Sequence, residues 1–157
     1  DADLFDQIMD SLMKKIKEFH YTIKGYDKAP SAVSKARDNI KNANLEEYIK
    51  IEECNFFDTE KETEGKLHMV FNPPYDERLD IHMEEFYKNI GDTLKKNYPA
   101  TNAWFITANL EALKFVGLKP SRKIKLFNAS LEARLVKYEM YEGSKRTKFQ
   151  QNFDTLN

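Results

Sequence analysis

The alternation of apolar patterns predicts an α/β fold: a mostly parallel sheet with helices on both faces and one antiparallel strand at or near an edge. Three observations carry this. Helical and strand periods follow one another in the order α-β-α-β-β-α-β-α-β-β. The apolar run Leu67–Phe71 reads as a strand buried on both faces, and it stops against Pro73-Pro74. Two late β patterns, 124–127 and 131–138, are separated only by Asn128-Ala129-Ser130, so they must pair antiparallel.

Each element has its own signal. Residues 4–19 carry Leu4, Ile8, Leu12 and Ile16 at four-residue steps, with Phe5 and Met9 widening the stripe of an amphipathic helix. Residues 21–26 alternate and are rich in β-formers, and Asp27 ends that strand. Pro30 suits the first turn of the next helix, whose face is Ala32, Val33, Ala36, Ile40 and Ala43. Asn44 is suited to the left-handed closing position. Residues 49–54 form a second strand, in which Cys54 is expected as a buried, reduced thiol. Met83, Phe86, Tyr87, Ile90, Leu94 and Tyr98 mark a strong helix. Residues 103–107 are a strand with Trp104 in the core, and 110–115 a short helix ending near Gly117. After Glu142 the chain turns polar, which divides it into a domain, 1–141, and a tail, 142–157.

Composition narrows the class. The 157 residues suffice for one domain with a real core, and 41% apolar with 32% charged residues is globular rather than disordered. No stretch approaches the ~20 apolar residues of a membrane span. No signal peptide is visible, and one cysteine excludes an internal disulfide. All this fits the cytoplasm. The net charge of −1 is low for a stand-alone nucleic-acid binder. His20, His68 and His82 lack metal-ligand spacing, so no metal is expected.

The chemistry concentrates in Asn72-Pro73-Pro74-Tyr75. Two prolines make a stiff turn at the carboxyl end of a strand, where open α/β sheets bind ligands. The turn fixes two acceptors, the Asn72 side-chain oxygen and the Pro73 carbonyl, with the flat Tyr75 ring beside them. Two acceptors and a stacking face suit an exocyclic base amine. The bland alternative is a strand-ending turn with an aromatic plug.

These residues, with Gly25-Tyr26-Asp27-Lys28-Ala29-Pro30, Ala36-Arg37-Asp38-Asn39, Glu77-Arg78-Leu79, Gly91-Asp92-Thr93-Leu94-Lys95, Gly117-Leu118-Lys119-Pro120 and Asn128…Leu131-Glu132, resemble class I S-adenosylmethionine methyltransferases. Within that class, residues 3–141 are similar to the catalytic domain of THUMP-associated 23S rRNA guanine-N2 methyltransferases. The resemblance implies a Rossmann-like sheet, S-adenosylmethionine as methyl donor, 23S rRNA as substrate and no membrane partner. Family members carry a THUMP domain and a glycine-rich loop after their first strand. No Gly-x-Gly occurs here. The chain therefore reads as the carboxyl-terminal part of a longer enzyme whose first strand is missing. That strand lies mid-sheet in the family, between the strands that here are 21–26 and Leu67–Phe71. The isolated piece is expected to be inactive and to dimerise through exposed strand edges. Asn55 stands where the family has Asp, and Asp76 and Ala129 where it has Gly.

The resemblance also implies roles. Asp27 accepts the ribose hydroxyls of the cofactor, or is a helix-capping or solvated acid. Asn55 and Phe56 flank its adenine, Phe56 serving the core as readily; Phe57 is expected in the core. Asn72, Pro73 and Pro74 orient the target amine for direct transfer, Asn72 also facing the cofactor, and Tyr75 stacks on the flipped base. Arg78 contacts phosphate or base, or makes a structural ion pair. Lys119, Arg122, Lys123 and Lys125 form a basic group that touches RNA or is a solvated edge. Adenine-N6 methylation of DNA uses the same four-residue turn and is the alternative reaction; a non-catalytic fragment is the alternative class.

Overall fold

A computed structural model of the chain describes residues 2–74, 81–128 and 130–142. They divide into two compact units, 1–56 and 57–157. In the first unit, helix α1 (Ala2–Met13) precedes strand β1 (Ile23–Asp27), helix α2 (Pro30–Asn42) and strand β2 (Ile49–Glu53). β1 and β2 form a two-stranded parallel sheet in the register Ile23↔Ile49 to Asp27↔Glu53. Pro30 opens α2 as expected. Asn44 closes it with a φ of 55°, the left-handed conformation that its short polar side chain tolerates.

α1 is shorter than the apolar stripe of residues 4–19. The amides of Lys15 and Ile16 bond three residues back, to Leu12 and Met13, and this tight turn closes the helix. Its apolar face stays in solvent, with Leu4 57% and Phe5 63% exposed, so no burial supports further turns. β1 starts later than predicted, where the Ile23 amide reaches the Tyr48 carbonyl.

The second unit holds β3 (Leu67–Phe71), helix α3 (Ile81–Asn97), β4 (Thr101–Thr107), a 3-10 turn at Ala112–Val116, β5 (Arg122–Asn128) and β6 (Leu131–Glu139). The sheet order is β3-β4-β6-β5. β3 and β4 are parallel, and β6 runs antiparallel to both neighbours. The antiparallel strand thus lies one place inside the edge, and β5 forms the edge itself. The short helix predicted at 110–115 is the 3-10 turn, closed by Gly117 at a φ of 64°.

The core of this unit lies between α3 and one face of the sheet. Tyr87, Ile90, Leu94 and Tyr98 are buried at three- and four-residue steps along the helix, against Ala103, Phe105, Val136 and Tyr138. Each large side chain so removed from water contributes about 1.5–3 kcal/mol before entropic costs. At the far end of α3, Tyr98 donates to Thr59 Oγ1 at 2.6 Å and the Asn97 side-chain amide to the Thr59 carbonyl at 2.9 Å.

Four burial expectations need correction. β3 is half-buried on one face only, since His68 and Val70 (78% exposed) point away from the face that carries Leu67, Met69 and Phe71. Cys54 is half-buried, its thiol 3.6 Å from the Asn55 carbonyl, because it lies just beyond the end of β2. Trp104 is half-buried too: it sits on the face opposite Phe105, with the Lys137 ammonium 5.7 Å from its ring centre. Phe57 is half-buried and meets Phe86 edge-on at 5.3 Å.

Gly91 is where α3 meets the 3-10 turn. A Cβ there would stand 1.8 Å from the Val116 carbonyl oxygen, a backbone atom with nowhere to go. Gly91→Ala is expected to cost about 1–3 kcal/mol or more, read as a lower midpoint in urea unfolding. A second prediction concerns alkali. The Tyr138 hydroxyl is buried with no hydrogen-bond partner among the described residues. Burial, reinforced by nearby Tyr87, pushes its pKa up to about 12. Burial raises Tyr87 as well, opposed by its hydrogen bond to Thr107. The unfolded chain releases these protons near pH ~10 while the folded chain keeps them. Stability is therefore unaffected by these groups below that pH and falls as pH rises toward about 12. Melting temperatures measured from neutral to alkaline pH should show that fall. Tyr138→Phe should flatten part of it and be neutral or stabilising at pH 7, since it removes an unsatisfied hydroxyl.

Candidate active site

In the first unit, parallel pairing brings the carboxyl ends of β1 and β2 together. The Asp27 carbonyl accepts from the Cys54 amide at 3.0 Å, so the residue following Cys54, Asn55, leaves the sheet beside Asp27. Asp27 Oδ1 accepts the Ala29 amide at 2.8 Å. That local bond turns the chain toward α2, but it is not a helix cap, because Ala29 is itself the N-cap residue and α2 has no side-chain cap. Asp27 and Asn55 are exposed; Phe56 is half-buried where a 3-10 turn, Phe56–Asp58, begins. The acid, the amide and the ring predicted from the sequence therefore share one end of one small sheet.

In the second unit, β3 ends at Phe71, whose ring packs 5.0 Å from that of Phe105 on β4. The register Phe71↔Phe105 sets Asn72 level with the last residues of β4. Asn72 is exposed, with no hydrogen-bond partner for its side chain among the described residues, while Pro73 is buried and Pro74 exposed. A buried proline between two exposed residues anchors the turn and leaves the amide outside. Tyr75 and Arg78 lie outside the described residues.

One supporting group was missed in the sequence. Thr107, the last residue of β4, is fully buried, with its hydroxyl 2.5 Å from the Tyr87 hydroxyl. The same oxygen accepts the Asn109 amide at 3.0 Å, and Asn109 Oδ1 accepts from Ala112 at 3.0 Å. This network pins the end of the strand next to Asn72. The available signal was Thr-x-Asn just before the short turn, a pattern that bonds side chain to backbone.

Comparison with known proteins gives the family of the chain. The profile of the RMKL-like methyltransferase domain matches residues 4–137. The ribosomal RNA large subunit methyltransferase K/L of Hahella chejuensis is 28% identical over 142 residues, covering 88% of this chain and 20% of that protein. The protein of the same name from Syntrophotalea carbinolica is 32% identical over 125 residues, covering 75% and 17%. The chain thus spans one fifth or less of these relatives. The crystal structure of "a possible methylase" from Clostridium difficile 630 superposes with a TM-score of 0.78 at 26% identity, covering 92% of this chain and 39% of that one. The chain belongs to the family of RMKL-like methyltransferase domains.

Proposed function

We propose that this chain is the carboxyl-terminal part, residues 1–141, of the catalytic domain of an S-adenosylmethionine-dependent enzyme that methylates the exocyclic N2 amine of a guanosine in 23S rRNA, with residues 142–157 as a polar tail. The observation that carries the reading is the Asn72-Pro73-Pro74 turn, with its exposed amide and buried proline, at the carboxyl end of a parallel strand. Family membership and the names of the ribosomal relatives support the substrate.

The residues present fit the cofactor. An exposed carboxylate at a strand end, with one oxygen engaged locally by the Ala29 amide, suits the two ribose hydroxyls. Asn55 offers its oxygen to the adenine amine and Phe56 a ring face. S-adenosylmethionine supplies an electrophilic sulfonium methyl. The chain's own residues handle the acceptor. The target amine shares its lone pair with the base and is a weak nucleophile. The Asn72 oxygen and the Pro73 carbonyl accept its hydrogens, turn the lone pair outward and stabilise positive charge developing on nitrogen. Tyr75 stacks on the base and Arg78 contacts the nucleic acid. No general base is needed, because the amine is acidic once alkylated.

The same reading assigns the enzyme to the cytoplasm and a THUMP domain to the longer protein. No described helix is long and apolar enough to cross a membrane. It also gives this chain, taken alone, a dimer formed through its exposed strand edges.

The test is methyl transfer from labelled S-adenosylmethionine to 23S rRNA by the enzyme carrying this domain. Label should appear as N2-methylguanosine, and Asn72→Ala should lower kcat roughly 100-fold or more with little change in KM. Label in N6-methyladenine of duplex DNA would overturn the substrate, and an active Asn72→Ala enzyme would overturn the site. This chain alone is expected to give no turnover, so any measurable transfer by it would refute that part.

A further inference from the structure

The edge strand β5 carries Lys123, Lys125 and Phe127 on one face, at alternate positions. Lys123 is exposed, Phe127 is 64% exposed, and the Lys125 ammonium lies 5.0 Å from the Phe127 ring centre. Arg122 on the opposite face and Lys119 just before the strand are exposed and have no ion-pair partner among the described residues. Lys125 and Arg134 share one carboxylate, Glu132, at 2.5 and 2.6 Å, which leaves one of their two charges uncompensated. Residues 119–139 hold six Lys and Arg against two Glu, in a chain whose net charge is −1.

Lysines on an edge strand ordinarily keep it from pairing with other strands. That accounts for Lys123 and Lys125 but not for a phenylalanine held two-thirds in water beside them. The topology adds direction. β5 is antiparallel to β6, and β6 to β4, so β5 runs parallel to β3 and β4. Lys125 pairs with Arg134, and Arg134 with Thr107, so Phe127 projects past the same sheet end as Asn72. Three inter-strand steps separate the two strands, roughly 14 Å. Single-stranded nucleic acid is bound by this combination, a row of cations for its backbone and an exposed ring for a base, over tracts of about 4–16 nucleotides.

We propose that the face of β5 that carries Lys123, Lys125 and Phe127 is a single-stranded RNA track, with Lys123 and the preceding Lys119 on phosphates and Phe127 stacking a base a few nucleotides from the one presented at Asn72. The inference rests on the RNA-methyltransferase reading and adds where the flanking strand lies. Lys125 holds Phe127 in position from its bond to Glu132.

The experiment is fluorescence anisotropy of a labelled 12-nucleotide uridine-rich RNA titrated with this chain between 50 and 200 mM KCl. Phe127→Ala should weaken binding roughly tenfold at fixed salt, within the ~1–3 kcal/mol of one stacked base, and leave the salt dependence unchanged. Lys119→Ala with Lys123→Ala should lower the slope of log K against log salt by about 1.4, two contacts at ~0.7 each. Phe127→Leu keeps the apolar area and should still weaken binding, which separates stacking from misfolding; circular dichroism confirms folding. Wild-type-like binding by these variants would overturn the track. So would the absence of wild-type binding at about 10⁻⁴ M, the weak end of non-specific affinity. Calorimetry with S-adenosylhomocysteine on the same variants keeps the two readings apart. Phe127→Ala should match the wild-type response, and failure of the methyltransferase reading would leave the RNA result standing.

Discussion

The second unit depends on what surrounds Phe105. Its ring is fully buried and meets Phe71 at 5.0 Å, Tyr138 in a stack at 5.6 Å and Tyr87 edge-on at 6.2 Å. Those partners come from β3, β6 and α3, so one side chain ties three strands to the helix that covers them. Aromatic pairs of this kind contribute about 0.5–1.5 kcal/mol each beyond the area they bury. More important is geometry. Rings packed at native density leave little freedom to slide, and the register of β3 against β4 follows from their interlocking. Since Asn72 immediately follows Phe71, the place of the proposed acceptor is set by this cluster.

The polar groups work with the same face. Tyr87 contacts Phe105 with its edge and Thr107 with its hydroxyl, so one helix residue both packs the core and fixes the end of β4. Thr107 in turn holds Asn109, which turns the chain out of the sheet. A rigid strand end matters because a weak nucleophile gains from being held close to its methyl donor in a reactive orientation, and a loose acceptor would forfeit that gain. The stiffness of two prolines has value only if the strand beneath them does not move.

Most of this architecture is legible in the chain. Leu67–Phe71 has its predicted bounds, and the long helix and the closing hairpin differ from expectation by a few residues at most. Those signals are local: an apolar period, a proline pair, a three-residue connection. What escaped is non-local. An apolar stripe shows that a face can be buried but not what buries it, so the stripe through residues 4–19 predicted a longer helix than forms, with Leu4 and Phe5 facing solvent. Val70 misled in the same way, since continuous apolarity does not show which face a helix covers. At the site, Asn72 and Asp27 stood out because strand ends are marked by punctuation. Thr107 did not, because its role exists only once Tyr87 is brought over it from another element.

Charge teaches a related lesson. A net charge of −1 argues against nucleic acid only if charge is spread evenly. It is not: the acidic residues of 1–64 offset a cationic stretch from 119 to 139 that folds into a single hairpin. Fields act over about 8–10 Å at physiological ionic strength, so a phosphate beside β5 meets the local excess and not the chain average. Phe127 then distinguishes a surface built to bind from one that is merely soluble. Lysine on an edge repels other strands, whereas an exposed ring among lysines gives up favourable burial and gains only if something planar covers it.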